Sequence, residues 1–195
     1  MFQTSIEPRA RISPSFHHPI AVPEMRLPSP ADLALWREKV RAATARTAMR
    51  FAAEAARSSS RDAFHPDFTT ADWHLLASFC VTTRLPTGFR VVMPGSTDRT
   101  LRFLVEGSLS QACTSGARDA GRQPALLLPG AIQGEDAAFS NGPNDLDVRA
   151  LEDSLILELS PARRKELTTT CPAIAAELLR AIGEVMAARR ELATN

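Results

Sequence analysis

The sequence predicts an α+β chain, mainly β. An antiparallel double-stranded β-roll, jelly-roll-like in form, lies between N-terminal and C-terminal helices. Three observations predict it. Short apolar runs between Phe89 and Leu159 are separated by turn residues at close intervals, the pattern of an antiparallel roll. Gly88, Gly95, Gly107, Gly130, Gly134 and Gly142 fall where such a roll turns its corners. Apolar residues three and four apart precede and follow the strand region, marking amphipathic helices.

At 195 residues the chain is long enough for one domain with extensions and a real core. Its 44% hydrophobic and 23% charged residues are those of a soluble globular protein. A net charge of +1 argues against a surface built to coat nucleic acid or an anionic membrane. No apolar run approaches the roughly 18–20 residues of a spanning helix, and Met1 to Pro23 lacks a secretory apolar core. Three cysteines, Cys80, Cys113 and Cys171, at unrelated spacings suit reduced thiols in a cytoplasm. Charge is uneven: residues 31–64 hold seven Arg/Lys against four Asp/Glu, whereas residues 134–158 hold seven Asp/Glu against Arg149 alone.

Residues 1–30 contain six of the fourteen prolines and read as a mobile tail; the Phe16-His17-His18 within it reads as solvated. Ser29-Pro30-Ala31-Asp32 is a helix start, with a capping serine, a first-turn proline and an acid three residues after the cap. Leu33, Trp36, Val40, Ala43, Thr47, Phe51 and Ala55 then form one apolar stripe, with Arg37, Lys39, Arg41, Arg46, Arg50 and Arg57 around it. This helix is expected to pack on its own domain or a twin subunit, the alternative being a basic helix that seeks a partner or an anionic surface. Residues 31–68 are thus an amphipathic helix and polar linker ahead of a unit spanning 69–195. Thr69 or Thr70 caps a short helix running from Asp72 to Phe79.

Strands follow. Phe89 to Met93 ends at Pro94-Gly95, and Leu101, Phe103 and Val105 alternate with Arg102 as in a half-buried strand that Ser108 to Ala112 continues. Residues 113–123 form a hairpin tip, and Ala125 to Leu128 a buried strand. Leu146, Val148 and Ala150 face inward, as do Leu155, Leu157 and Leu159 in the next strand. Ser160-Pro161 caps a helix, and Thr170 or Cys171 before Pro172 caps the last one. Ile174, Leu178, Ile182, Val185 and Met186 line one face of that helix, with Arg189-Arg190 near its end.

The stretch Pro129-Gly130-Ala131-Ile132-Gln133-Gly134-Glu135-Asp136-Ala137-Ala138-Phe139, continuing to Val148-Arg149-Ala150, carries the candidate site. It resembles the phosphate-binding cassette of the cyclic nucleotide-binding domain, the sensor module of the catabolite activator protein and its relatives. The resemblance covers about residues 70–192. It implies a short helix whose free N–H groups face a cyclic phosphate, a glutamate on the ribose hydroxyl, and an arginine on the phosphate. It also implies a homodimer through the C-terminal helix and its five apolar residues named above. Gly134 and Glu135 match. No arginine lies between Glu135 and Val148, and the corresponding Asn144-Asp145-Leu146-Asp147 is about a residue short.

The candidate ligand-binding residues are therefore Gly134, Glu135, Asp136, Ala137 and Asp145, with the cassette degenerate for cyclic AMP and cyclic GMP. An anion without its counter-cation, set among Asp136, Asp145 and Asp147, is costly to bury. The alternative is a working sensor whose arginine comes from elsewhere. Arg149 should point outward by strand alternation, which leaves Arg118 and Arg122 of the hairpin loop. No Walker-type loop, GxGxxG, CxxC, HExxH or GxSxG is present, so no enzyme chemistry, cofactor or metal site is expected. The chain ends at Asn195 where the family's regulators continue into a winged helix-turn-helix, so direct sequence-specific DNA binding is not expected. The expected function is a non-enzymatic regulatory protein acting as a protein-interaction module.

Overall fold

The computed structural model describes residues 29–60, 62–114, 123–140 and 142–194. The proline-rich segment with Phe16-His17-His18, and the loop arginines Arg118 and Arg122, lie outside the described residues.

Helix α1 spans Pro30–Arg57. Ser29 caps it, its Oγ accepting from Asp32 N at 3.1 Å while the Asp32 carboxylate accepts from Ser29 N at 3.0 Å, a reciprocal capping box. Helix α2 (Thr70–Ala77) starts the same way through Thr69 and Asp72. Among the described residues eight strands follow: β1 (Val81–Leu85), β2 (Arg90–Val92), β3 (Leu101–Glu106), β4 (Leu109–Cys113), β5 (Ala125–Leu127), β6 (Ile132–Gln133), β7 (Leu146–Ala150) and β8 (Ser154–Leu159). The one-turn helix α3 (Glu135–Phe139) lies between β6 and β7; α4 (Pro161–Thr170) and α5 (Pro172–Thr194) close the chain. The strands form two antiparallel four-stranded sheets, β1-β8-β3-β6 and β2-β7-β4-β5. This is the β-roll with flanking helices that the sequence predicts.

Two apolar clusters hold the roll. Leu85, Val92, Leu104, Leu109, Leu127, Val148, Ala150 and Ile156 fill the space between the sheets. The larger cluster lies between the first sheet and the helices, joining α1 (Phe51), the segment before α2 (Phe64), Trp73 of α2, Phe103 of β3 and Ile182 of α5. The Phe51 ring meets Phe103 at 5.3 Å and Trp73 at 5.8 Å, both edge-on, the geometry aromatic quadrupoles favour.

Several expectations are corrected. β3 is buried on both faces rather than half-buried, because Leu104 faces the inter-sheet cluster while Leu101, Phe103 and Val105 face the helices. Its alternating Arg102 is also buried, paired with Asp98 and, at 3.3 Å, with Glu158. β4 does not continue β3: Gly107, at φ +83°, turns the chain into the other sheet, and a Cβ there would meet Ser154. The run from Ala125 to Leu128 is an edge strand in which Leu127 is buried and Leu126 and Leu128 are exposed. The α1 stripe divides: Thr47, Phe51 and Ala55 are buried, while Leu33, Trp36 and Val40 are exposed. The five α5 residues assigned to a dimer face lie in the chain's own core instead. Ile174, Leu178, Ile182 and Val185 are buried and Met186 packs against them, because the roll's helix-facing sheet needs that apolar face as its cover. Among the described residues, no helix is long and apolar enough to cross a membrane.

Candidate functional site

The cassette is built on β6, whose Gln133 and Ile132 pair with Arg102 and Phe103 of β3. Gly134 then takes the left-handed conformation, φ 91° and ψ 8°, as the N-cap of α3. A side chain there would run into the carbonyl oxygen of Thr100, so only glycine lets the chain bend this close to β3. Ala138 N donates to Gly134 O at 2.9 Å, which closes the single turn of α3.

The turn sends Glu135 inward and Asp136 outward. Glu135 is 2% exposed, and its carboxylate forms an ion pair with Arg189 of α5. The same guanidinium donates to Asp62 Oδ2 at 2.8 Å and to the carbonyl oxygen of Ile132 at 3.0 Å. One arginine thus ties the last turns of α5 to the cassette and to the segment after α1. Burial pushes the Glu135 carboxyl above the usual carboxylate range, and the Arg189 charge offsets this only in part. Burial opposes the charge on Arg189, yet Glu135 and Asp62 hold its pKa above the ordinary arginine value. Ala137 is buried beneath the turn.

Asp136 and Asp145 stand on the opposite side. Together with Gly95, Thr114, Ser140 and Asn144 they line an open hollow of about 550 Å³. The position expected for the phosphate arginine is fixed by Asn144. Its side-chain amide donates to Ser96 O, Ser96 Oγ and Asp98 O at 3.2, 3.0 and 2.9 Å, and the Asn144 backbone carbonyl accepts from Gly95 N at 2.7 Å. Thr114 Oγ1 donates to the Asp145 carbonyl at 2.7 Å, and the Cys113 thiol donates to its carboxylate at 3.6 Å.

Two of the described arginines near the cassette, Arg99 and Arg164, donate to backbone carbonyls. Arg99 donates to Gly142 O. Arg164 donates to Arg99 O and Ala138 O at 3.2 and 3.3 Å, capping the end of α3. Arg149 points outward, as strand alternation predicts, and pairs with Asp147 at 3.1 Å beside Arg90. Asp147 is therefore neutralised on the outer sheet face and does not belong to the acidic surround of the cassette. Of the five candidate ligand residues, Gly134, Glu135 and Ala137 face inward, and Asp136 and Asp145 share the hollow. Sequence reasoning missed Arg189 and Asp62. A basic pair near the end of the last helix is the only signal, and nothing in it says which residues meet across a gap of 54 or 127 positions.

No protein-family model matches this chain, and no curated protein matches it. Solved structures do match in fold. A cyclic nucleotide-binding domain from Methylobacillus flagellatus superposes with a TM-score of 0.63 over 75% of this chain and 80% of its own, at 15% identity. The catabolite activator protein of Thermus thermophilus matches with a TM-score of 0.57 over 69% of this chain and 62% of its own, at 22% identity. The regulatory subunit of a cAMP-independent protein kinase A from Trypanosoma cruzi, bound to guanosine, matches with a TM-score of 0.52, at 16% identity. That match covers 70% of this chain and 44% of its own. The chain has the fold of the cyclic nucleotide-binding domain.

Proposed function

We propose that this chain is a non-enzymatic regulatory protein whose cyclic nucleotide-binding fold has lost ordinary binding of cyclic AMP and cyclic GMP and acts as a protein-interaction module. One observation carries the reading: Glu135, the residue that would take a ribose hydroxyl, is buried against Arg189, while Asp136 lines the hollow outside it. A cyclic phosphate entering that hollow meets the exposed Asp136 carboxylate. Two like charges about 6 Å apart at an effective dielectric near 20 repel by roughly 3 kcal/mol, on the order of a hundredfold in affinity. The match to a regulatory subunit described as cAMP-independent supports a role for this fold without that ligand. The same reading takes the protein as cytoplasmic, in keeping with an odd number of cysteines at unrelated spacings.

Isothermal titration of the purified protein with cyclic AMP and with cyclic GMP tests this. The expected outcome is no saturable heat at ligand concentrations up to about the millimolar range, about 4 kcal/mol of binding free energy. Micromolar binding of either nucleotide, lost on Glu135→Gln, overturns it.

A further inference from the structure

The N-terminal half of α1 stands clear of the domain. Residues 30–43 are exposed throughout, a rod of about 20 Å at 1.5 Å per residue. Leu33, Trp36 and Val40 are 39%, 62% and 44% exposed, yet they lie on the same helical face as Thr44, Thr47, Phe51 and Ala55, which are buried against the roll. An apolar stripe that is covered for half its length and bare for the other half calls for a second surface. A free helix of this length is also marginal in water.

We propose that a second copy of this chain covers it, the two α1 rods crossing antiparallel near Trp36. Two observations select this occupant. The bare stripe continues the face that carries the chain's own domain, so a parallel copy would drive the two domains into each other. An antiparallel copy places them at opposite ends. Asp32 and Lys39 lie seven residues apart on one edge of the stripe, and a crossing centred between Leu35 and Trp36 sets each Asp32 opposite Lys39 of the other copy, twice over. With Asp32 and Glu38 against Arg37, Lys39 and Arg41, the rod carries little net charge, which disfavours an anionic lipid surface as its cover. Three apolar side chains per copy give less than the roughly 800 Å² per partner of a standard stable interface, so the association is weak and concentration-dependent.

Sedimentation velocity on the full chain from about 1 µM to about 1 mM tests the proposal, the range in which a small interface saturates. The expected result is a monomer–dimer equilibrium that Trp36→Glu abolishes, that Lys39→Glu or Asp32→Lys alone weakens about tenfold or more, and that Leu179→Arg on the exposed face of α5 leaves unchanged. An equimolar mixture of the Lys39→Glu and Asp32→Lys proteins should dimerise again, since only the mixed pair restores both contacts. Thermal melting of each variant separates loss of association from loss of fold. A monomer at every concentration, a dimer that survives Trp36→Glu, or failure of the mixture to recover overturns the proposal. So does recruitment of a monomer to phosphatidylglycerol vesicles without self-association. None of these outcomes depends on whether a cyclic nucleotide binds.

Discussion

At the scale of single residues, Arg189 carries more of the site than any residue of the cassette. It sits between Asp62, Glu135 and Ile132 O, and Glu135 is nearly sealed from solvent. Such a pair adds little net stability over an apolar substitute, but breaking it from one side leaves a buried charge. Arg189→Met should therefore lower stability by about 3–5 kcal/mol in urea unfolding, and Glu135→Gln combined with Arg189→Met should recover a large part of that loss. An Arg189→Met protein as stable as the parent would show that Glu135 finds another partner. The chemistry of Glu135 is legible from its place after Gly134. Its commitment to α5 is not, because a carboxylate reads the same in sequence whether water, ribose or an arginine faces it.

At the scale of elements, the helix starts were the most legible feature. Ser29-Pro30 with Asp32, and Thr69 with Asp72, use contacts three residues apart, so local sequence contains the whole motif. The strands were legible by period, but their partners were not. β3 looks half-buried in its own alternation and becomes central only because β8 and β6 flank it and a second sheet lies behind. α5 is anchored at its near end by Glu177, which accepts from Asp67 N and from Arg180 Nε at 2.8 Å. Its hydrogen bonds from Arg180 and Asp67 hold its carboxyl down to about 2, from an ordinary 4.5. A depressed carboxylate contributes stability that is present above the unfolded value and lost as pH falls through the folded one. The stability of the parent should therefore decline between pH 4.5 and about 2, and Glu177→Gln should make that decline shallower. Chemical denaturation at a series of pH values measures it; an unchanged acid slope would remove Glu177 from the account.

At the scale of the whole molecule, the larger apolar cluster makes one body of α1, α2, the first sheet and α5. Phe51 is its hinge: fully buried, on the last covered turns of α1, and in ring contact with Phe64, Trp73 and Phe103. Phe51→Ala should cost about 3–5 kcal/mol, whereas Trp36→Ala, fifteen positions earlier on the same stripe, should leave the unfolding midpoint within about 0.5 kcal/mol of the parent. Equal losses at the two positions would mean that the bare half of the stripe is covered within the chain.

The amino-acid order alone determined the β-roll, its helix starts and the cassette, since turn glycines, strand alternation and caps act over a few residues. It also determined that no arginine lies between Glu135 and Val148. Tertiary structure alone decided which way each side chain was used: α5 turned its apolar face into its own core, Glu135 turned toward Arg189, and α1 kept half of its stripe uncovered. Those choices depend on which surfaces meet after the chain folds back over long distances, and neither period nor propensity encodes that meeting.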